Sequence, residues 1–216
     1  MVIRVLLVHE LGLYRDALVE VLARERDLRV EAATAAGAPE ALVRLRPDVV
    51  VVDADSATEG VAGPHHTGFA TATSSPAADT ARVGLPPGSG PAQLVLGSSE
   101  RPGPLRLAYE AGARGFVGKG SSPRVLAEGI RQVAQGRRHV DPALGFGFLQ
   151  AADMPLTGRE VKVLSLLAQG ATVPEIAALL HLSAGTVRNY VSAITRKTGA
   201  RNRIDAIRIS RGAGWL

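Results

Sequence analysis

The chain has 216 residues, enough for two compact domains, and its 46% hydrophobic content supplies packed cores and excludes wholesale disorder. It has no cysteine, which excludes disulfides and thiolate metal sites and permits a cytoplasmic home. The net charge of +5 sits at one end: the 63 residues from Met154 hold nine Lys or Arg against three acids, while the rest of the chain sums to −1. That end suits a nucleic-acid partner, because Lys and Arg displace condensed counterions; a solvated basic face is the bland alternative.

Residues 2–8 form an apolar run broken only by Arg4, which suits a buried parallel strand and is far too short to span a bilayer. Arg15, Asp16 and Glu20 follow at once, so the start reads as neither a signal peptide nor a membrane anchor, and no membrane partner is expected. Leu13, Leu18, Val21 and Leu22 fall at helical spacing. Residues 28–32 alternate as a second strand, and 39–45 read as a short helix with Ala41, Leu42 and Leu45 on one face. Residues 48–52 form a strongly β-branched third strand that ends at Asp53. This β-α-β-α-β order predicts a doubly wound α/β fold, in which functional groups collect at the carboxyl ends of the strands. His9, Glu10 and Asp53 stand there.

Residues 56–91 break the rhythm. Gly, Pro, Ser, Thr and Ala dominate, and the segment reads as a long mobile insertion with at most a short helix. Strands resume at 93–96 and 115–118, with helices at 104–111 and 123–134, which completes a five-stranded parallel sheet. Residues 137–153 read as a linker whose Phe146, Phe148 and Leu149 are available to dock on a neighbouring surface.

Residues 154–216 read as a small all-α domain. Thr157 caps a helix with Glu160 three residues on, a capping box. Val161, Leu164, Leu167 and Ala168 form its apolar face, and Gly170 ends it. Pro174 opens the next helix, with Ile176, Ala177 and Leu180 inward. Ser183 caps a third, whose Val187, Val191 and Ile194 face the core and leave Arg188, Asn189, Ser192 and Arg196 outside. A last helix covers 203–211 with Ile204, Ile207 and Ile209. Two short helices joined by a tight turn, the second basic on its outer face, predict a DNA-reading device.

The spacing of Leu156-Thr157-x-Arg159-Glu160, Gly170, Glu175-Ile176-Ala177, Leu182-Ser183-x-x-Thr186-Val187-Arg188 and Arg203 resembles the LuxR-type helix-turn-helix. Residues 2–136 resemble the flavodoxin-like receiver of NarL/FixJ-type response regulators, interrupted by the insertion. The resemblance implies a cytoplasmic transcription regulator that binds double-stranded promoter DNA as a homodimer, with the last helix as the usual dimer contact. It implies that the third helix of the domain enters the major groove, with Arg188, Asn189 and Ser192 at base-reading positions. Ser192 is shorter than the Lys sometimes found there. Ser183, Thr186, Arg196, Lys197 and Arg203 are implied as phosphate contacts, Ser183 equally as a helix cap.

Phosphorylated receivers hold Mg²⁺ with two acids after the first strand, beside an acceptor Asp. Here Asp53 matches the acceptor, Lys119 the lysine that pairs with the phosphoryl group, and Phe116 the aromatic switch position. The acid positions, however, read His9 and Glu10, and the hydroxyl position is Gly97, with Ser98 one residue later. The resemblance therefore implies an atypical receiver that requires no cofactor, with Mg²⁺ held through Glu10 and Asp53 only if it binds at all. Its trigger is expected to be a bound small molecule, a protein partner or dimerisation. Two alternatives stay open: conventional phosphorylation of Asp53 by a histidine kinase, and an interaction adaptor with a vestigial DNA domain.

Other chemistries find less support. The histidines are scattered, and His65-His66 has no further ligand at metal spacing. Residues 112–119 miss the phosphate-loop spacing by one residue, and Gly120 stands where Ser or Thr is needed. Aromatics at 4% are too few for stacking on single strands. No nucleophile–base pair assembles, so an enzyme is not expected.

Overall fold

The computed structural model describes residues 2–54 and 90–216. The insertion expected at 56–91, with His65 and His66, lies outside the described residues except for its last two positions.

The apolar runs pair as parallel strands, buried on both faces in the centre of the sheet: β1 (Ile3–Val8), β2 (Leu28–Ala33), β3 (Val49–Asp53), β4 (Ala92–Gly97), β5 (Gly115–Gly118) and the short β6 (His139–Val140). Their order is β2-β1-β3-β4-β5-β6. The register sets Val8 opposite Val52 and Asp53 opposite Leu96, so the ends of β1, β3 and β4 are level. Helices α1 (Gly12–Leu22), α2 (Ala38–Leu45), α3 (Pro102–Glu110) and α4 (Pro123–Ala134) follow β1, β2, β4 and β5. Alternate side chains of β1, β3 and β4 (Val5, Leu7, Val49, Val51, Leu94, Leu96) pack with Leu126, Ile130 and Val133 of α4 in one buried cluster.

The sheet thus has one strand more than expected. The His139 and Asp141 N–H groups donate to the carbonyls of Arg114 and Phe116 at 3.0 and 2.8 Å, which adds β6 to the β5 edge. Residues 137–153, expected as a linker, take up regular structure: β6, a 3₁₀ turn (Pro142–Leu144) and helix α5 (Gly145–Asp153). Asp141 caps the turn and Pro142 opens it, a pairing that suits a helix start.

By internal contacts the chain divides into Met1–Ser99 with Ala108–Gly145, and Glu100–Leu107 with Phe146–Leu216. The second unit is helical: α6 (Gly158–Ala168), α7 (Val173–Leu179), α8 (Ala184–Lys197) and α9 (Arg203–Gly212). Leu156, Val161, Leu164, Ile176, Val187, Ile194 and Ala206 are its buried centre. Thr157 and Thr172 each accept from the backbone three residues on, while Glu160 and Glu175 reach back, so both helices start in complete capping boxes. The second box pairs Thr172 with Glu175 of the motif, at the same spacing as Thr157 and Glu160. Arg159 donates to the Leu180 carbonyl at 2.9 Å and so satisfies the end of α7.

Candidate nucleic-acid interface and strand-end pocket

The period of 3.6 residues sends Val187 and Ile194 of α8 inward and leaves Arg188, Asn189, Ser192 and Arg196 exposed on its outer side. The three base-reading candidates therefore share an accessible helix surface. Ser183 caps α8: its Oγ accepts from the Thr186 N–H at 3.0 Å and lies 2.9 Å from the Thr186 hydroxyl. Arg203 is exposed at the first turn of α9, just after Asn202, whose side chain caps that helix. Lys197 has a role the sequence did not reveal. Its Nζ lies 2.7 Å from Oε2 of the buried Glu160, the same oxygen that serves the Thr157 cap. Burial pushes the Glu160 carboxyl up, but the bonds from Lys197 and Thr157 outweigh it and hold the group below the usual range.

In the other unit, β1, β3 and β5 end together and bring three side chains into one pocket. Nε2 of His9 lies 3.0 Å from Oδ2 of Asp53, and Nζ of Lys119 lies 2.7 Å from Oδ1. The His9 side chain is 3% exposed and that of Asp53 5%. The Leu11 N–H donates to Nδ1 of His9 at 3.0 Å, so the ring proton resides on Nε2, where it is donated to Asp53. The Tyr14 ring packs on His9 with centroids 4.7 Å apart, and burial pushes its phenol up against the opposing charge of Lys119. Glu10 is not in this pocket: it is exposed, and Oε1 accepts from the Ala35 N–H at 2.7 Å. Phe116 is buried, with the Tyr109 ring 6.4 Å away. Ser98 follows β4 and lines a cleft of about 270 Å³ with Ser99, Lys119, Ser121 and Leu144.

The Mg²⁺ that the receiver fold implies needs several oxygen ligands. The donors here do not fit it. Glu10 is turned to the backbone beyond β2, and the His9 nitrogen facing Asp53 carries a proton. Among the described residues no group of three or more His, Asp or Glu side chains is placed to hold a metal. Among them, too, no helix is long and apolar enough to cross a membrane.

Asp141, which bonds the loop on either side of Lys119, is a residue that sequence reasoning missed. It is buried, and its carboxylate accepts from the Gly118 and Ala143 N–H groups at 3.0 and 2.9 Å and from the Ser121 hydroxyl. The Asp-Pro pair after an alternating His-Val could have marked it as a cap.

A doubly wound parallel sheet with an Asp–Lys pair at its strand ends, in one chain with a capped helix-turn-helix, defines the class of DNA-binding transcriptional response regulators. Comparison with known proteins makes this specific. Residues 154–210 match GerE, the bacterial regulatory proteins of the luxR family. The chain is 42% identical to the response regulator RamR of Streptomyces coelicolor, over 99% of this chain and 98% of that protein. It is 32% identical to the uncharacterized transcriptional regulatory protein YvfU of Bacillus subtilis, over 99% and 100% of the two chains. Among solved structures, response regulator ChrA of a heme-sensing two-component system is 27% identical with a TM-score of 0.53, covering 100% of this chain and 99% of that one. RcsB from Salmonella enterica serovar Typhimurium shares the fold at 19% identity and a TM-score of 0.69, covering 96% and 98%. The chain belongs to the NarL/FixJ-type response regulators with a LuxR-type helix-turn-helix.

Proposed function

We propose that this regulator is controlled without phosphorylation of Asp53, and that it reads promoter DNA as a homodimer through Arg188, Asn189 and Ser192. The observation that carries the first part is the position of His9. Its Nε2–H bonds one Asp53 oxygen while Lys119 bonds the other, and Glu10 faces away. Phosphoryl transfer needs a carboxylate oxygen aligned for attack and a metal that neutralises the incoming charge. The pocket offers a proton donor where that metal's acidic ligand belongs. A bound small molecule, a protein partner or dimerisation then sets the equilibrium.

On the DNA side, Arg188 suits guanine O6 and N7, and Asn189 suits adenine N6 and N7. Thr186, Arg196 and Arg203 supply phosphate contacts that fix register. Ser183 acts first as a cap, and Lys197 first as the partner of Glu160. The exposed Ile204 on α9, 72% accessible, supports a dimer contact there.

Incubation with acetyl phosphate and Mg²⁺, followed by mobility on a phosphate-affinity gel, tests the control mechanism. No shifted species is expected from the native chain, whereas His9→Asp combined with Glu10→Asp is expected to gain one. A species in the native chain that disappears in Asp53→Asn would establish conventional control instead.

A further inference from the structure

The loop that carries Lys119 is held from two sides. On one, the Lys119 N–H donates to the Gly97 carbonyl at 2.9 Å and so pins the loop to β4. On the other, the loop closes on itself, with the Ser121 N–H donating to the Gly118 carbonyl at 2.9 Å, and both ends of this turn bond one oxygen of Asp141. Asp141 is 4% exposed and lies beyond β6, on the stretch that leaves this unit. Its own N–H donates to the Phe116 carbonyl at 2.8 Å, and its second carboxylate oxygen caps the 3₁₀ turn through Ala143. Gly118 leaves room for this fit: a Cβ there would come within 3.0 Å of Ser121 Oγ and 3.3 Å of Asp141 Oδ2. Asp141 does not touch Asp53 in this arrangement; it acts on the loop from which Lys119 reaches Asp53 at 2.7 Å.

We infer that Asp141 is a positioning residue that latches the chain leaving the receiver unit to the Lys119 loop, so that the pocket and the start of the following segment change state together. One carboxylate bonds two structures at once: the turn between Gly118 and Ser121, and the turn Pro142–Leu144. A buried carboxylate bonded on both oxygens is costly to leave half-satisfied, so loss of the loop side weakens the cap side as well. Coupling of this kind is reciprocal. Displacing Lys119 from Asp53 should loosen Ala143, and removing Asp141 should displace Lys119. The inference rests on reading the pocket as the control site, but not on how Asp53 is controlled. Phosphate labelling can therefore fail or succeed without deciding it.

The test uses the full chain with ¹³Cε-labelled lysine and amide hydrogen exchange. Asp141→Ala should move the Lys119 Cε resonance and speed exchange at the Lys119 amide about fivefold or more, while β1 and β3 amides keep their protection. In the opposite direction, Asp53→Asn should speed exchange at Ala143. Asp141→Asn retains one acceptor oxygen and should fall between Asp141→Ala and the native chain. The inference is overturned if Asp141→Ala affects only residues 140–144, or if Asp53→Asn leaves Ala143 unchanged. Should Asp141→Ala lose protection throughout the sheet, Ser121→Ala, which removes one hydroxyl, is judged by the same Lys119 signals.

Discussion

Helix α8 and the strand-end pocket each depend on a pair of adjacent residues, and the pairs behave differently. Arg188 and Asn189 lie about 100° apart on one helix, so both stay on its exposed side and act as one surface. His9 and Glu10 follow the end of a strand, where consecutive side chains diverge. His9 is buried against Asp53, while Glu10 is exposed and bonded to the backbone after β2. Substituting two neighbouring acids by His and Glu therefore does not leave half a metal site. It places a proton donor inside and the surviving carboxylate outside.

The largest expected effect tests the α8 side of this contrast. Arg188→Ala should weaken operator binding by about 1–3 kcal/mol and relax preference at one base position, as read by titration at fixed salt. An unchanged affinity and preference would mean that the exposed surface does not read bases, and the contrast would lose one of its sides. The next effect concerns what holds that surface in place. Glu160→Ala removes a helix cap and the partner of Lys197, and should cost about 2 kcal/mol of stability in denaturant unfolding. The native group is held below the usual glutamate range, so it contributes fully above the unfolded value of about 4.3. That contribution is lost as pH falls through the lower folded value. Between pH 7 and 3 the midpoint of the native chain should therefore fall more than that of Glu160→Gln. Equal slopes would show that Lys197 is free to face phosphate.

How much was legible follows from the same geometry. The α8 surface could be read because each side chain's direction depends only on its place in a 3.6-residue period and on a cap three residues away. β1 to β5 and α4 could be read because apolar runs and turn residues announce them. The His9–Asp53–Lys119 contact could not be read, since it depends on the level alignment of strand ends 44 and 66 positions apart in the chain. Motif matching named the three residues but not their bonds, and it put Glu10 with them. β6 escaped because two residues carry no period, and its pairing rests on two N–H groups that find carbonyls on β5. Lys197 looked like a phosphate ligand because it is basic and near the end of α8; its bond to Glu160 spans 37 positions.

The smallest effect probes the turn that joins α7 to α8. His181 occupies the left-handed region at φ 53, one of two non-glycine residues with positive φ among the described residues. The turn is built by the backbone: the Leu182 N–H reaches the Ala177 carbonyl at 2.8 Å, which closes the end of α7. Asn tolerates this conformation better than His, since its short polar side chain bonds locally. His181→Asn should then raise stability by a few tenths of a kcal/mol, roughly 1–3 °C in midpoint, with operator affinity unchanged. His181→Val should lose about 1–2 kcal/mol, because a β-branched residue is strained there. If His181→Asn instead weakens DNA binding at constant stability, the imidazole itself contributes to the interface. The nucleic-acid surface would then begin before α8, and its reading from helical period alone would be too narrow.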